Sequence, residues 1–231
     1  MRNDAPLVVL TGPIASGKST VGRLAVGDTS LAFYPEDVDS RAEDRAVLAR
    51  YYDAVARYAE IRDPLAASNR TLVEAAREAV HATQVHFITR RASLLRGALV
   101  GGRGGVAERH PRDDIEIFSR RNLREGLLTE EQFASLETLL AHEMADVPEP
   151  VLHVFLHAET AALRQRIRRR GRAQEADLIR PENRYLEELN ALYEDWFRRC
   201  EGEKILIRTD ELPETEIAAR VRAAIRACGI D

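Results

Sequence analysis

The segment Gly12-Pro13-Ile14-Ala15-Ser16-Gly17-Lys18-Ser19-Thr20 follows the apolar run Leu7 to Leu10 and fits the pattern Gly-x4-Gly-Lys-Ser/Thr. Glycines let such a loop curl until several backbone N–H groups face one centre. The N-terminus of the helix expected next adds partial positive charge there. A centre of that kind binds polyphosphate. Gly12, Ile14, Ala15, Ser16, Gly17, Lys18, Ser19 and Thr20 are therefore expected to line a site for ATP or GTP. Lys18 would reach the β- and γ-phosphates and the Ser19 hydroxyl would ligate Mg²⁺. Only two of the 34 basic residues are lysines, so a lysine at the required position carries weight against a plain Gly-rich turn. The loop specifies a nucleotide and leaves kinase, motor and switch open.

Three more groups fall where later strands would end: Glu36, the pair Glu108-Arg109, and the arginines of residues 166 to 172. Singly, each has a plain reading as a turn, a surface ion pair or a solvated helix end. Their joint placement around one phosphate loop favours a site. Gln84 and Arg91 lie on an otherwise apolar helical stripe with Val80, Phe87, Ile88 and Leu95. A buried amide or guanidinium must be hydrogen-bonded, so that stripe needs internal partners or a polar ligand.

The elements that must position these groups alternate along the chain. Apolar runs at Leu7 to Thr11, Leu31 to Tyr34, Gly105 to Ala107, Val151 to Leu156 and Ile205 to Thr209 are separated by helical stretches. Five strands so spaced make an α/β fold, a parallel sheet with helices on both faces and ligands at the strands' C-terminal ends. One helix is expected over residues 41 to 62, with Leu48, Tyr51, Tyr52, Val55 and Tyr58 inward, and a second over 71 to 96. A third, Thr160 to Arg170, turns Leu163 and Ile167 inward and ends at Gly171. Pro181 is expected to open a fourth, with Leu186, Leu189, Leu192, Tyr193, Trp196 and Phe197 as core. No linker or repeat interrupts the pattern, so residues 1 to 231 read as one domain.

At 231 residues and 45% hydrophobic content the chain can bury about 70% of its unfolded surface without metals or disulfides. Net charge −4 argues against nucleic acid or an anionic membrane as the main partner. Cys200 and Cys228 are in no metal spacing and read as free thiols of a reducing, cytoplasmic compartment. Neither a signal peptide nor a membrane span is expected.

Taken together, these residues resemble the deoxynucleoside kinase family over nearly the whole chain. Glu108-Arg109-His110 with Asp114 and Phe118 looks like the family's Glu-Arg-Ser motif and its downstream Asp and Phe. Residues Arg166 to Glu175 resemble its lid, and Tyr185 to Leu189 with Tyr193 and Trp196 the helix that follows. Gln84 and Arg91 match its base-reading helix. The resemblance implies a P-loop NTPase fold with a short arginine-rich lid at about 166 to 180, and phosphoryl transfer from ATP to the 5′-hydroxyl of a (deoxy)nucleoside in nucleotide salvage. Glu36 would be general base and Arg109 would hold it and the hydroxyl. Glu108 would complete the Mg²⁺ shell with Ser19. Arg166, Arg170 and Arg172 would close over the transferring group. Glu175 would contact the sugar 3′-hydroxyl; Gln84, Arg91 and Asp114 would serve the base, with an Arg91 to Asp114 pair closing the pocket. Tyr51 and Tyr52 are candidates for a further sugar contact, and a homodimer through a helical face is implied.

The chain departs from the family at Asp37, where a Pro is usual, at His110 in place of Ser, and in about 20 extra residues between Glu36 and Gln84. The Gln, Arg and Asp set resembles that of purine- and deoxycytidine-using members more than that of strict thymidine ones. Two other readings stay open: a kinase for another small acceptor, such as a nucleoside monophosphate, sugar or cofactor precursor, and a non-catalytic nucleotide sensor.

Overall fold

A computed structural model of the chain describes residues 5–27, 29–100 and 104–230. The five apolar runs become β1 (Leu7–Thr11), β2 (Ala32–Tyr34), β3 (Gly105–Glu108), β4 (Leu152–His157) and β5 (Lys204–Arg208). They form one sheet in the order β2-β3-β1-β4-β5, each neighbouring pair parallel. β1 is buried at every position, as a central strand covered on both faces must be. The glycine that opens β3 has a packing reason: a Cβ on Gly105 would lie 2.3 Å from the Tyr34 ring. Gly101 and Gly102, which make this stretch of sequence less apolar than a central strand usually is, lie outside the described residues.

Where the sequence shows no boundary, the fold separates into two compact units. The first comprises residues 1 to 36, 91 to 110 and 146 to 231, and holds the sheet. Successive strand residues point to opposite faces, so each face selects its own helices. On one face Val8, Leu10, Val154 and Leu156 pack with Val21 of α1 (Lys18–Val26) and Val221 of α9 (Glu214–Ala227). The alternate residues of β4 meet α8 (Tyr185–Arg199): Phe155 stacks on Tyr193 at 5.9 Å between ring centroids, and His153 sets its edge against Trp196 at 5.7 Å. The helix expected from Pro181 starts instead at Tyr185, because the Asn183 side chain accepts the Tyr185 N–H at 2.9 Å and ends the preceding turn there. α7 (Thr160–Arg170) buries Leu163 and Ile167 and stops at Gly171, as expected.

The second unit comprises residues 37 to 90 and 111 to 145. It contains α2 (Ala42–Ala59), residues 70 to 90 of α3 (Arg70–Val100), and α4 (Pro111–Asp113), which runs through a π-helical segment (Asp114–Ser119) into α5 (Arg120–Arg124). α6 (Glu130–Glu143) follows, capped by reciprocal Thr129 and Gln132 bonds. Tyr51, Ala54, Val80, Ile88, Ile115 and Leu136 form its core. α2 is turned from the expected stripe: Asp44, Val47, Tyr51 and Ala54 are buried, while Leu48, Tyr52, Val55 and Tyr58 are only half-buried. A polar contact sets that rotation. Asp44 is 1% exposed, bonded to His86 Nε2 at 2.8 Å and ion-paired with Arg90 at 3.0 Å.

Candidate functional site

The loop between β1 and α1 owes its path to backbone geometry that side chains resist. Gly12 has φ +143°, and a Cβ there would lie 2.4 Å from the Leu156 carbonyl oxygen. Gly17 has φ +96° and sits where α1 begins. Between them Ala15 holds φ +61°, a conformation that costs a non-glycine residue about 1 kcal/mol or more. The first N–H groups of α1 have no partner within the helix, and the loop bends around them. Lys18 is buried with its ammonium inside the curl, donating to Gly12 O at 3.0 Å and Pro13 O at 2.8 Å, with Ser16 Oγ at 3.4 Å. Ile14 and Ala15 pack against the cluster that holds Leu163 and Ile167 of α7. Ser19 and Thr20 are half-buried on the first turn of α1.

Three strand ends bring carboxylates and arginines to this loop. The Ser19 hydroxyl lies 2.9 Å from both carboxylate oxygens of Glu108, the last residue of β3. The same carboxylate accepts the Glu36 N–H at 3.3 Å. A carboxylate and a hydroxyl suit a hard divalent cation that keeps water and phosphate ligands. Among the described residues no group of three His, Cys, Asp or Glu could cage a metal alone. The hydroxyl and carboxylate oxygens of Ser19 and Glu108 are a donor pair that fits Mg²⁺.

Glu36 ion-pairs with Arg91 and with Arg109 Nε, the latter at 2.9 Å. Burial alone would raise its pKa, but Arg91, Arg109 and Lys18 outweigh burial and hold it at about 2, against an ordinary 4.5. Arg109 has φ +68°, and its N–H is anchored on Leu10 O of β1 at 2.9 Å. Its Nη1 donates to the Tyr193 hydroxyl at 2.9 Å.

The arginine-rich segment divides its work. Arg166 donates to Ala15 O (3.3 Å), to Thr209 Oγ1 (2.9 Å) and to Thr209 O (2.5 Å), which ties α7 to the phosphate loop and to the end of β5. Arg170 and Arg172 instead hold Glu175, with Arg170 Nε at 3.0 Å and Arg172 Nη1 at 3.4 Å from its oxygens. Glu175 is 3% exposed, so these two arginines neutralise a buried carboxylate.

The remaining expected residues belong to the second unit apart from Arg91. Gln84 is buried, and its Oε1 lies 3.4 Å from Ser119 Oγ; Asp114 is buried at the start of the π-helical segment. Tyr51 bonds Asn122 Oδ1 at 3.2 Å, and Tyr52 meets it edge-on. Sequence reasoning missed two polar contacts. Tyr193 was expected as core alone, yet its hydroxyl bonds Arg109. Thr209 was expected as a strand residue, yet it lies just past β5 as the acceptor for Arg166. A tyrosine on an apolar stripe is the sequence signal available for the first, because a buried phenol needs a partner.

A family model described as deoxynucleoside kinase matches residues 8–223. A deoxyadenosine kinase of Lactobacillus acidophilus is 24% identical over 89% of this chain and 86% of its own length. A deoxyguanosine kinase of Bacillus subtilis is 26% identical over 83% and 78%. A structure of deoxyadenosine kinase from M. mycoides with bound dATP shares the fold at TM-score 0.70 and 17% identity, covering 95% of this chain and 99% of that one.

Proposed function

The chain belongs to the deoxynucleoside kinase family and is a phosphotransferase with a hydroxyl acceptor, and from that premise we propose that it moves the γ-phosphate of ATP to the 5′-hydroxyl of a deoxynucleoside. One observation carries the reading: Glu36, clamped by two arginines, stands beside the Ser19 and Glu108 oxygen pair at the mouth of the phosphate loop. A loop alone would serve any nucleotide binder. A doubly held carboxylate next to it is what an acceptor hydroxyl requires.

Lys18 and the loop N–H groups would hold the donor phosphates, and Ser19 with Glu108 would carry Mg²⁺, which neutralises charge on the phosphate oxygens. Glu36 would accept the hydroxyl proton. With a pKa near 2 it is a weak base, which suits a loose transition state whose proton leaves late and gives most of the work to aligning the hydroxyl. Arg166, already on the loop carbonyl of Ala15, would stay near the transferring group, and Arg170 and Arg172 would add charge to it. The family resemblance assigns Glu175 to the sugar and Gln84, Arg91 and Asp114 to the base. The deoxyadenosine and deoxyguanosine kinases among its relatives favour a purine acceptor. No helix among the described residues is long and apolar enough to cross a membrane. The family resemblance supports a homodimer, and sedimentation equilibrium should give twice the monomer mass; a monomer mass would overturn that part of the proposal.

Purified protein given ATP, Mg²⁺ and a panel of deoxynucleosides and ribonucleosides should release ADP with at least one of them. Release at background across the panel would overturn the reading. Glu36→Gln should lower kcat by about 10² or more with ATP affinity nearly unchanged; an equal loss of ATP binding would make Glu36 structural.

A further inference from the structure

Tyr193 lies on the stripe of α8 that packs against the sheet, and it is 0% exposed. It is held at both ends. Its ring stacks on Phe155 of β4, with centroids 5.9 Å apart and planes 23° from parallel. Its hydroxyl oxygen accepts from Arg109 Nη1 at 2.9 Å. A phenol fixed by a strand at one end and bonded at the other makes a rigid post rather than a mobile contact.

Arg109 needs such a post. It keeps a left-handed backbone at φ +68° that residues with a Cβ avoid, a conformation that persists only where the surroundings hold it. The N–H bond to Leu10 O fixes the backbone, and the Nε contact to Glu36 Oε2 at 2.9 Å sets one edge of the guanidinium. The bond from Nη1 to Tyr193 holds the planar guanidinium at a second point, away from the ion pair with Glu36.

We infer that Tyr193 is a positioning residue for phosphoryl transfer: its hydroxyl orients Arg109, and through Arg109 it fixes the Glu36 carboxylate that receives the acceptor hydroxyl. The inference rests on the reading of Glu36 and Arg109 given above. It adds a residue on α8 that touches no reacting atom.

The test is Tyr193→Phe, which keeps the ring on Phe155 and removes the hydroxyl that accepts from Nη1. kcat should fall by about 10- to 100-fold, the size expected when a bond to a charged donor is lost, while KM for ATP stays within about twofold. In an Arg109→Ala background the same substitution should add less than about threefold, because a residue acting through Arg109 has nothing left to act on. Full multiplication of the two effects, or an unchanged kcat in Tyr193→Phe, would overturn the inference while leaving the kinase reading intact. A wild-type protein without nucleoside-dependent ADP release would count against that reading instead. The inference is then decided without turnover, by the ¹⁵N–¹H signal of the Arg109 side-chain Nε, assigned by its absence in Arg109→Lys. Tyr193→Phe should shift or broaden that signal, and a signal superimposable on wild type would refute the inference.

Discussion

Glu36 carries three cations around one carboxylate, and the consequences can be read from its titration. Its pKa of about 2 lies below the ordinary 4.5, because burial, which raises it, is outweighed by Arg91, Arg109 and Lys18. A depressed carboxylate contributes stability that is fully present above 4.5 and is lost as pH falls toward 2. The stability difference between wild type and Glu36→Gln should therefore shrink as urea titrations are taken from neutral pH down through that window. If Glu36 is the base proposed above, the same pairing should also set the pH dependence of the rate. Arg91→Met removes one of the cations, so Glu36 takes up its proton at higher pH, and the acid limb of kcat/KM for the nucleoside should move upward from the wild-type position. A limb that stays in place while the ratio between bases changes would make Arg91 a base reader that does not hold Glu36. Arg91 shows how far a spacing argument reaches: a polar residue on an apolar stripe announced that it needed a partner, and only the fold brought Glu36, 55 residues away in sequence, to it.

At the scale of single elements, the two lysines do the same job in different places. Lys18 donates to carbonyls inside the phosphate loop; Lys204, at the start of β5, donates to Phe197 O at 2.8 Å, Arg198 O at 3.1 Å and Cys200 O at 2.5 Å, the carbonyls that end α8. Carbonyls of a helix's last turn lack intrahelical partners, and a compact ammonium with three donors can meet several of them at once. A guanidinium is planar and cannot turn its donors toward three converging acceptors. Lys204→Met should cost about 1–3 kcal/mol, seen as a lower urea midpoint at constant m, and Lys204→Arg should recover only part of it. Equal midpoints for all three proteins would show that the cap contributes nothing. This lysine escaped sequence reading because its acceptors lie four to seven residues earlier, on a helix end that folds back onto it. The phosphate loop was legible for the opposite reason: its donors, glycines and helix start are consecutive in the chain. β1 and α7 were likewise legible to the residue. α2 was found but turned, since Asp44 is buried by partners on α3 that no period within α2 records.

For the whole molecule, binding should register as stability. A ligand at 100 times its Kd that binds only the native state adds about 2.7 kcal/mol, which raises the midpoint of a chain of this size by about 5–10 °C. A thermal-shift series with purine and pyrimidine deoxynucleosides, each with and without ATP and Mg²⁺, should single out the preferred base; equal shifts for all would overturn the proposed purine preference. The sequence by itself determined the α/β class, the five parallel strands and the family, because alternating short and long apolar periods and the consecutive loop pattern are local properties of the chain. Only the tertiary structure decided that the chain forms two compact units, each assembled from separated segments, because contact density has no signature in a sequence without linkers. It also decided which arginine holds which carboxylate: Arg91 and Arg109 on Glu36, Arg170 and Arg172 on Glu175, and Arg166 on the loop and Thr209. In a chain with 34 basic and 38 acidic residues, pairing follows from which strand and helix ends meet, and sheet order sets that.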